Sequence, residues 1–485
     1  MHFLLYFTNK CYYYFLFELI YNTLSPNSTL RMWGDSMAKK DTKLENLSKT
    51  VHMLVEEIRL SETEGLDRLF MDVYSQQAGM MTDSRQQGKV KHAFKDILGI
   101  VFFGVLAGND EWEDIYDFAM DERETLKNYL DLKNGIPSHD TMQRVFAIIQ
   151  PGELQGMLKE ILIQMVEMAG QHLDQYLYQN EELDCYVQDI IAADGKETRH
   201  TAKKHGKEPQ DLCNLNEFNV MSTEWGVCLS STRIDEKTNE IPEMQAVMKG
   251  LDCRRCIVTA DAMNAQKETA RVIVQEAHGD YCLALKGNQK QAYEEVRGYF
   301  ACMGLQENMR QKTGQYQSET ETSTYAITVR EYFITDDIQW FEDRSRWEKL
   351  QSIGYERKTI TIKETGESHV EERYYLCSIK PIAELFAIAV RRHWNIENNL
   401  HWTLDVVFRE DSLGSKEKKA IHNLGLIRRF VMFIIKLMKA YYGRSMRRVR
   451  KTIGRKPETE LPLIFAVLRV LYTNDLLDSI DELAK

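Results

Sequence analysis

The spacing of hydrophobic and polar positions changes several times along the chain, and each change predicts a different element. Residues 44–90 are charged and carry a helical period, which predicts two short helices with a mobile connection around 76–87. Phe94, Ile97, Leu98, Val101, Phe102, Val105 and Leu106 then recur at i, i+3, i+4 and i+7 and stop near Gly108, the pattern of a buried helix. Over 124–149 the pattern reads helix, turn, helix. Leu126, Tyr129 and Leu130 mark the first helix, Gly135 stops it, Pro137 and Ser138 open the second, and Met142, Val145, Phe146 and Ile149 form an inner face.

Between 186 and 287 the period shortens toward two. Runs at 186–193, 218–222, 226–234, 256–260 and 281–285 predict strands, with helices at 241–248 and 264–277 among them, so this segment reads as an α/β core. Residues 289–381 leave that rhythm: 325–335, 356–362 and 371–379 are rich in Tyr, Ile, Thr and Val, and the last two flank a turn at 364–367, which predicts a β-rich insertion with a hairpin. At 391–411 the helical period returns. Ile396, Leu400, Leu404 and Val407 mark one face, and His393, Glu397, His401 and Asp405 recur every fourth residue on another. A second amphipathic helix at 424–438, a basic run at 444–456 and an apolar helical tail at 461–483 complete the pattern. The shifts divide the chain at 1–36, 37–89, 90–180, 181–289, 290–383, 384–440 and 441–485.

Composition adjusts this picture in three places. With 485 residues, 43% hydrophobic and 28% charged, the chain has room for about three soluble domains. Nine scattered cysteines suggest free thiols in a reducing cytoplasm, and the lone Cys253/Cys256 pair has no partner pair for zinc. The aromatic runs before Asp35 fall short of the roughly 20 apolar residues a membrane span requires, so no membrane association is expected, and Met37 is the expected natural start. Net charge is −11, yet residues 384–456 hold 17 Lys/Arg against 6 Asp/Glu, a local balance of +11. A basic segment of this kind is a usable phosphate-binding surface.

The candidate chemistry lies at two predicted strand ends and on one helix. Asp194 follows I-I-A-A and Asp261 follows I-V-T-A. Adjacent strands are only about 4.8 Å apart, so carboxylates at their ends converge. Each aspartate alone is an ordinary turn or cap residue. Together with Glu397 they make an all-oxygen set suited to Mg²⁺ or Mn²⁺, and two such ions about 3.5–4 Å apart serve in-line displacement at phosphorus. A zinc hydrolase built on His393, Glu397 and His401 is an alternative that leaves both aspartates unused. In a helix-turn-helix reader, His139, Asp140, Gln143 and Arg144 would face the major groove, although a plain helical hairpin is the commoner outcome. The run containing Arg444, Arg447 and Arg448 is explained as readily by a solvated helix face as by contact with a phosphate backbone.

Longer motifs narrow the field. I-A-A-D-G-K at 191–196, D-E-K-T-N-E-I-P-E at 235–243, I-V-T-A-D-A-M-N-A-Q-K at 257–267, G-D-Y-C-L-A-L-K-G-N-Q at 279–289 and H-W-N-I-E-N-N-L-H-W-T-L-D-V-V-F-R-E-D at 393–411 resemble the H-repeat-associated insertion-sequence transposases. These are bacterial DDE transposases, and the resemblance runs from about 90 to about 437. It implies an α/β ribonuclease-H-like catalytic core with a β-rich insertion, a helical N-terminal module and a helical C-terminal tail. It implies Asp194, Asp261 and Glu397 as a metal-binding catalytic triad holding Mg²⁺ or Mn²⁺, two ions in all. Lys196, Asn239 with Glu240, and Lys286 through Gln289, including Asn288, would line the site or contact DNA. His393, His401, Arg444, Arg447 and Arg448 join them as candidate DNA contacts. The implied partners are the element's terminal inverted repeats and target DNA, bound by a homodimer in the cytoplasm.

The motifs depart from the family's in several positions. Glu197-Thr198-Arg199-His200 stands where the family usually has Thr-Leu-Arg-Gly, Y-A-I-T-V-R at 325–330 stands where a His-Gly-Arg type motif is expected, and His393 and Leu404 occupy positions that carry Arg and Lys in related enzymes. Two further readings share the same carboxylates or surface: a metal-dependent nuclease without strand transfer, and an inactive DNA-binding relic.

Overall fold

The computed structural model describes residues 42–60, 66–172, 176–203, 205, 209–234 and 239–473. The expectations for residues 1–36, for Met37 as the start and for the tail beyond 473 lie outside the described residues. Six helices come first: α1 (Lys43–Leu60), α2 (Leu66–Met80), α3 (Phe94–Leu106), α4 (Trp112–Asp121), α5 (His139–Ile148) and α6 (Pro151–His172). The stretch read as a mobile connection is partly helix and otherwise tied down: the Thr82 backbone N–H and hydroxyl donate to Glu153 at 3.0 and 2.9 Å, and Arg85 forks onto Asp83.

The helix-turn-helix pattern forms only in its second half. Arg123–Leu126 makes a single helical turn. Beyond it, Leu130 packs onto Gly99 of α3, and the chain turns through Leu132 at φ 41° so that the Asp131 and Leu132 amides donate to the buried Asp96 carboxylate at 3.3 and 3.1 Å. Satisfying that buried acid overrides the local helical pattern. The second helix, α5, starts as its capping sequence predicts, with the Ser138 side chain accepting from the Thr141 N–H.

The α/β region begins with β1 (Asp189–Thr198), β2 (Leu215–Ser222), β3 (Val227–Arg233), α7 (Glu240–Lys249), β4 (Cys256–Ala260), α8 (Lys267–Gln275) and β5 (Asp280–Leu285). Two helices, α9 (Lys290–Phe300) and α10 (Met303–Gln311), precede the strands of the inserted segment, a feature the strand-like pattern after 325 did not signal. Those strands are β6 (Tyr316–Thr322), β7 (Ala326–Thr335), β8 (Ser352–Ile362) and β9 (Ser368–Cys377). All nine lie in one sheet of order β3-β2-β1-β4-β5-β9-β8-β7-β6. β1, β4 and β5 are mutually parallel; every other neighbouring pair is antiparallel. The insertion therefore extends the central sheet, with Tyr374 opposite Leu285 and Cys377 opposite Cys282.

After the sheet come α11 (Ala383–His393), a π-helical turn at Ile396–His401, α12 (Trp402–Val406), α13 (Lys418–Tyr442), α14 (Met446–Arg455) and α15 (Pro457–Thr473). The single helix expected over 391–411 is thus broken into the end of α11, the π turn, the short α12 and a 3-10 turn at Glu410–Ser412. Side chains of β1 alternate between two cores. Ile191 and Ala193 join Met244 and Met248 of α7 on one face, and Ala192 joins Ile396 and Leu400 of the π turn on the other.

Helix α13 is apolar on nearly every side, and a helix of that kind must be enclosed. The leading helices and α15 do so together, with Phe102 and Phe103 of α3 clustering on Phe430 and Phe465. Helical segments from the two ends of the chain consequently share one core. Among the described residues no helix is long and apolar enough to cross a membrane.

Candidate active site

The parallel pairing of β1 with β4 ends at Ala193 opposite Ala260, while β1 continues to Thr198 against β2 alone. Asp194 is the first residue beyond the shared segment. It was expected at a strand end, and it lies at the end of the parallel pairing yet within the antiparallel one, opposite Asn219. Asp261 is the first residue after β4. The two strands diverge from here and leave a notch with one aspartate on each lip.

Asp261 precedes a 3-10 turn, Ala262–Asn264, but its side chain makes no capping hydrogen bond, so the ordinary cap explanation does not apply. Half of that side chain is exposed. Asn288 Nδ2 donates to the Ala262 carbonyl at 2.5 Å and Gln289 Nε2 to the Ala265 carbonyl at 3.2 Å, so K-G-N-Q fastens the loop that carries Asp261. Glu397 sits in the π turn, whose widened ring holds Ile396 and Leu400 in the core and turns Glu397 outward. Turns of this type concentrate at functional positions.

The charges of Asp261, Glu240 and Glu397 all act on Asp194. Burial, then Asp261, Glu240 and Glu397, push its carboxyl up to about 8, against a smaller opposing pull from the Gly195 N–H. Three residues spaced widely in sequence therefore share one electrostatic neighbourhood, with Glu240 as a fourth. Among the described residues no three His, Cys, Asp or Glu side chains stand close enough as placed to grip an ion. The donor chemistry, oxygen-only and in excess of any nearby cation, still fits a hard divalent ion.

Both histidines of the H-W-N-I-E-N-N-L-H motif face an aspartate. His393 Nε2 is 3.9 Å from Asp261 Oδ1, and its Nδ1 hydrogen-bonds Thr259 Oγ1 at 3.1 Å. His401 Nδ1 is 3.8 Å from Asp194 Oδ2, and its Nε2 accepts from Asn219 Nδ2 at 3.4 Å. Burial, with Lys196 and Arg429 nearby, pulls His401 down to about 3, so this imidazole is neutral and carries its proton on Nδ1, toward Asp194. Asn219 is itself oriented by Arg429 Nε, which donates to its Oδ1 at 3.1 Å.

The remaining candidates divide by surroundings. Lys196 is buried, its ammonium 2.8 Å from Asp405, 3.1 Å from Glu410 and 3.9 Å from Asp411, so it does not face the surface. Lys286 and Asn288 are exposed beside the Asp261 loop. Arg444, Arg447 and Arg448 are exposed, and Arg444 and Arg448 line a groove of about 900 Å³ with Lys49, Lys439, Asn395 and Asn399. Asn395 and Asn399, which contribute to the groove, lie two residues before and after Glu397 in sequence. Arg450 of the same basic run is instead buried, paired with Asp110 at 2.6 Å and donating to the carbonyls of Val105 and Val407. Gln143 of the suggested reading helix is half-buried and donates to Ser415 at 2.8 Å.

Reading the sequence missed a buried ion network behind the site. Arg429 contacts Glu217 at 3.2 Å and Glu410 at 3.5 Å, and His422 Nδ1 hydrogen-bonds Glu217. Its signal was the pair Arg428 and Arg429 inside the apolar run of α13, since arginines there need buried counter-charges.

The chain matches the family described as Transposase DDE domain over residues 186–434, and the one described as DDE_Tnp_1-associated over residues 77–161. YhhI of Escherichia coli, named as an H repeat-associated transposase, is 31% identical over 386 residues, covering 77% of this chain and 92% of that protein. YbfL of Escherichia coli is also 31% identical, over 381 residues and the same shares of the two chains. A piggyBac transposase synaptic complex with hairpin DNA, solved by cryo-EM, aligns at TM-score 0.34 and 12% identity over 86% of this chain and 84% of that one. Long ordered motifs, the family match across the catalytic region and relatives matched over nine-tenths of their length agree: the chain belongs to the DDE transposases, in their H-repeat-associated group.

Proposed function

We propose that Asp194, Asp261 and Glu397 are the catalytic carboxylates of this transposase and hold two Mg²⁺ or Mn²⁺ ions. The observation that carries this is the notch where β1 and β4 part. It gathers acids from two strands and a distant π turn, and among the described residues no lysine or arginine pairs with any of the three. The strand order supports a ribonuclease-H-like core: three antiparallel strands, β3-β2-β1, continue into the parallel pair β4-β5.

Bound at this place, divalent ions supply Lewis acidity and charge neutralisation for displacement at phosphorus. The chain's own part is to hold the acids rigid and near one another. The sheet fixes Asp194, the Asn288 and Gln289 side chains fasten the Asp261 loop, and Ile396 and Leu400 anchor the turn under Glu397. His393 and His401 stand beside Asp261 and Asp194 at 3.9 and 3.8 Å. In the first step a water oxygen bonds to phosphorus at an element end and the 3′ oxygen leaves as a hydroxyl. In the second, that hydroxyl bonds to a target phosphorus and displaces the target's own 3′ oxygen. The Arg444/Arg448 groove and exposed Lys286 carry the DNA backbone, through phosphate contacts that position without reading sequence. Joining two ends calls for at least a homodimer on DNA.

A supercoiled plasmid carrying the element's ends, incubated with the purified chain and Mg²⁺, tests this. Joined products are expected. Breaks alone identify a nuclease, and DNA binding with neither product identifies a relic.

A further inference from the structure

Helix α7 begins at Glu240, on the opposite face of the sheet from the π turn, and four observations concern that one side chain. Gly195 follows Asp194 on β1 with an ordinary strand backbone, so left-handed geometry does not account for the glycine there. A methyl group built at 195 would overlap the Glu240 carboxylate, which lies against the bare backbone. On its other side Glu240 Oε2 accepts from Asn264 Nδ2 at 3.2 Å, in the turn that follows Asp261. Asn264 is fully buried, and its Oδ1 has no hydrogen-bond partner.

The usual structural reasons for an acid at this position are already met by others. Asn239 caps α7, its side chain accepting from the Ile241 N–H at 3.1 Å. Among the described residues no lysine or arginine pairs with Glu240. The helix thus sets a carboxylate with no basic partner among the described residues between the Gly195 backbone, next to the first aspartate, and the loop that follows the second.

Resting on the reading of the three acids above, we propose that Glu240 is a fourth carboxylate of the divalent-ion site, admitted by Gly195 and held by Asn264. The notch is then filled from both faces of the sheet, with Asp194 and Glu397 on one side and Glu240 on the other. Asn264 Oδ1 adds a neutral oxygen to the same surroundings. Glycine at 195 serves the site because any side chain would push the Glu240 carboxylate aside.

Mn²⁺ binding to the purified full chain, read from the loss of the free-ion electron paramagnetic resonance signal, tests the proposal with no DNA present. Glu240→Gln is expected to weaken Mn²⁺ binding about tenfold or more, and Gly195→Ala to weaken it similarly with every carboxylate retained. Both should melt like the parent chain in EDTA. If these two variants bind Mn²⁺ like the parent while Asp194→Asn and Glu397→Gln do not, the fourth carboxylate is overturned and the three-acid reading stands. If Asp194→Asn and Glu397→Gln also bind normally, the three-acid reading itself fails. Should Glu240→Gln lower the melting temperature, Glu240→Asp decides: weakened binding upholds the proposal and parental affinity overturns it.

Discussion

Asp194 and Lys196 sit two residues apart on β1 and point to the same face of the sheet, yet their surroundings are opposites. Lys196 enters a network of ion pairs in which Arg429 and Lys196 meet Glu217, Asp405 and Glu410 at 2.8–3.5 Å. Asp194 enters a cluster of acids with only neutral His401 beside it. Burial pushes the Glu217 carboxyl up, but Arg429, His422 and Lys196 more than reverse this and hold it well below the usual carboxylate range. At Asp194 burial and like charge act together. One cluster pairs its charges on folding, and the other keeps its like charges together.

The largest expected effect breaks the open cluster. Glu397→Gln should lower strand cleavage and joining in the plasmid assay about 10³-fold or more, the scale of several kcal/mol of lost charge stabilisation, with the melting temperature unchanged. A variant that melts early would place Glu397 among the folding charges instead. Next, Arg429→Ala should remove about 3–5 kcal/mol of stability by stranding Glu217 and Glu410, read from the denaturant midpoint. A loss under about 1 kcal/mol would erase the distinction between the clusters.

The pH responses should have opposite signs. Asp194 titrates higher folded than unfolded, so in EDTA its stability contribution is complete below its ordinary value and is lost as pH rises toward 8. Asp194→Asn should therefore gain on the parent chain between pH 5 and 8, by on the order of 2 kcal/mol. Glu217 titrates lower folded than unfolded, so its contribution is present above its ordinary value and lost in acid. Glu217→Gln should be most destabilising near neutrality and converge on the parent as pH falls. The smallest effect concerns the surface: Arg444→Ala with Arg448→Ala should leave stability within about 0.5 kcal/mol and reduce the salt slope of DNA binding by about one unit per lost contact. Lys196→Ala should do the reverse, lowering stability without changing that slope.

Much of the strand pattern was legible because burial on a sheet enforces period two: the run 256–260 predicts β4 end to end, whereas 186–193 covers only the first half of β1, which runs on to Thr198, and its start belongs to a separate short strand, Cys185–Val187. Asp194 and Asp261 stood out because each directly follows such a run. Other features depend on contacts between distant residues. The turn at Leu132 exists to satisfy Asp96, the role of Lys196 depends on acids more than two hundred residues later, and the joining of β9 to β5 depends on backbone groups that carry no side-chain signature. Arg444 and Arg450 look equivalent in one basic run, and only α14's packing separates an exposed cation from a buried one.

The π turn has a consequence for how this chain tolerates change. It amounts to one surplus residue spliced into a helix, so deleting a single exposed position such as Asn398 would let the segment relax into a regular spiral without lengthening any loop. The flanking helical pieces would keep their relative orientation, because the wide turn already absorbs the residue that the deletion removes. Ile396 and Leu400 would keep their places in the core while the spacing from Glu397 to His401 shrinks from four residues to three, so a shortened chain that still folds would isolate what the wide ring does for the carboxylate from what the helix does for packing.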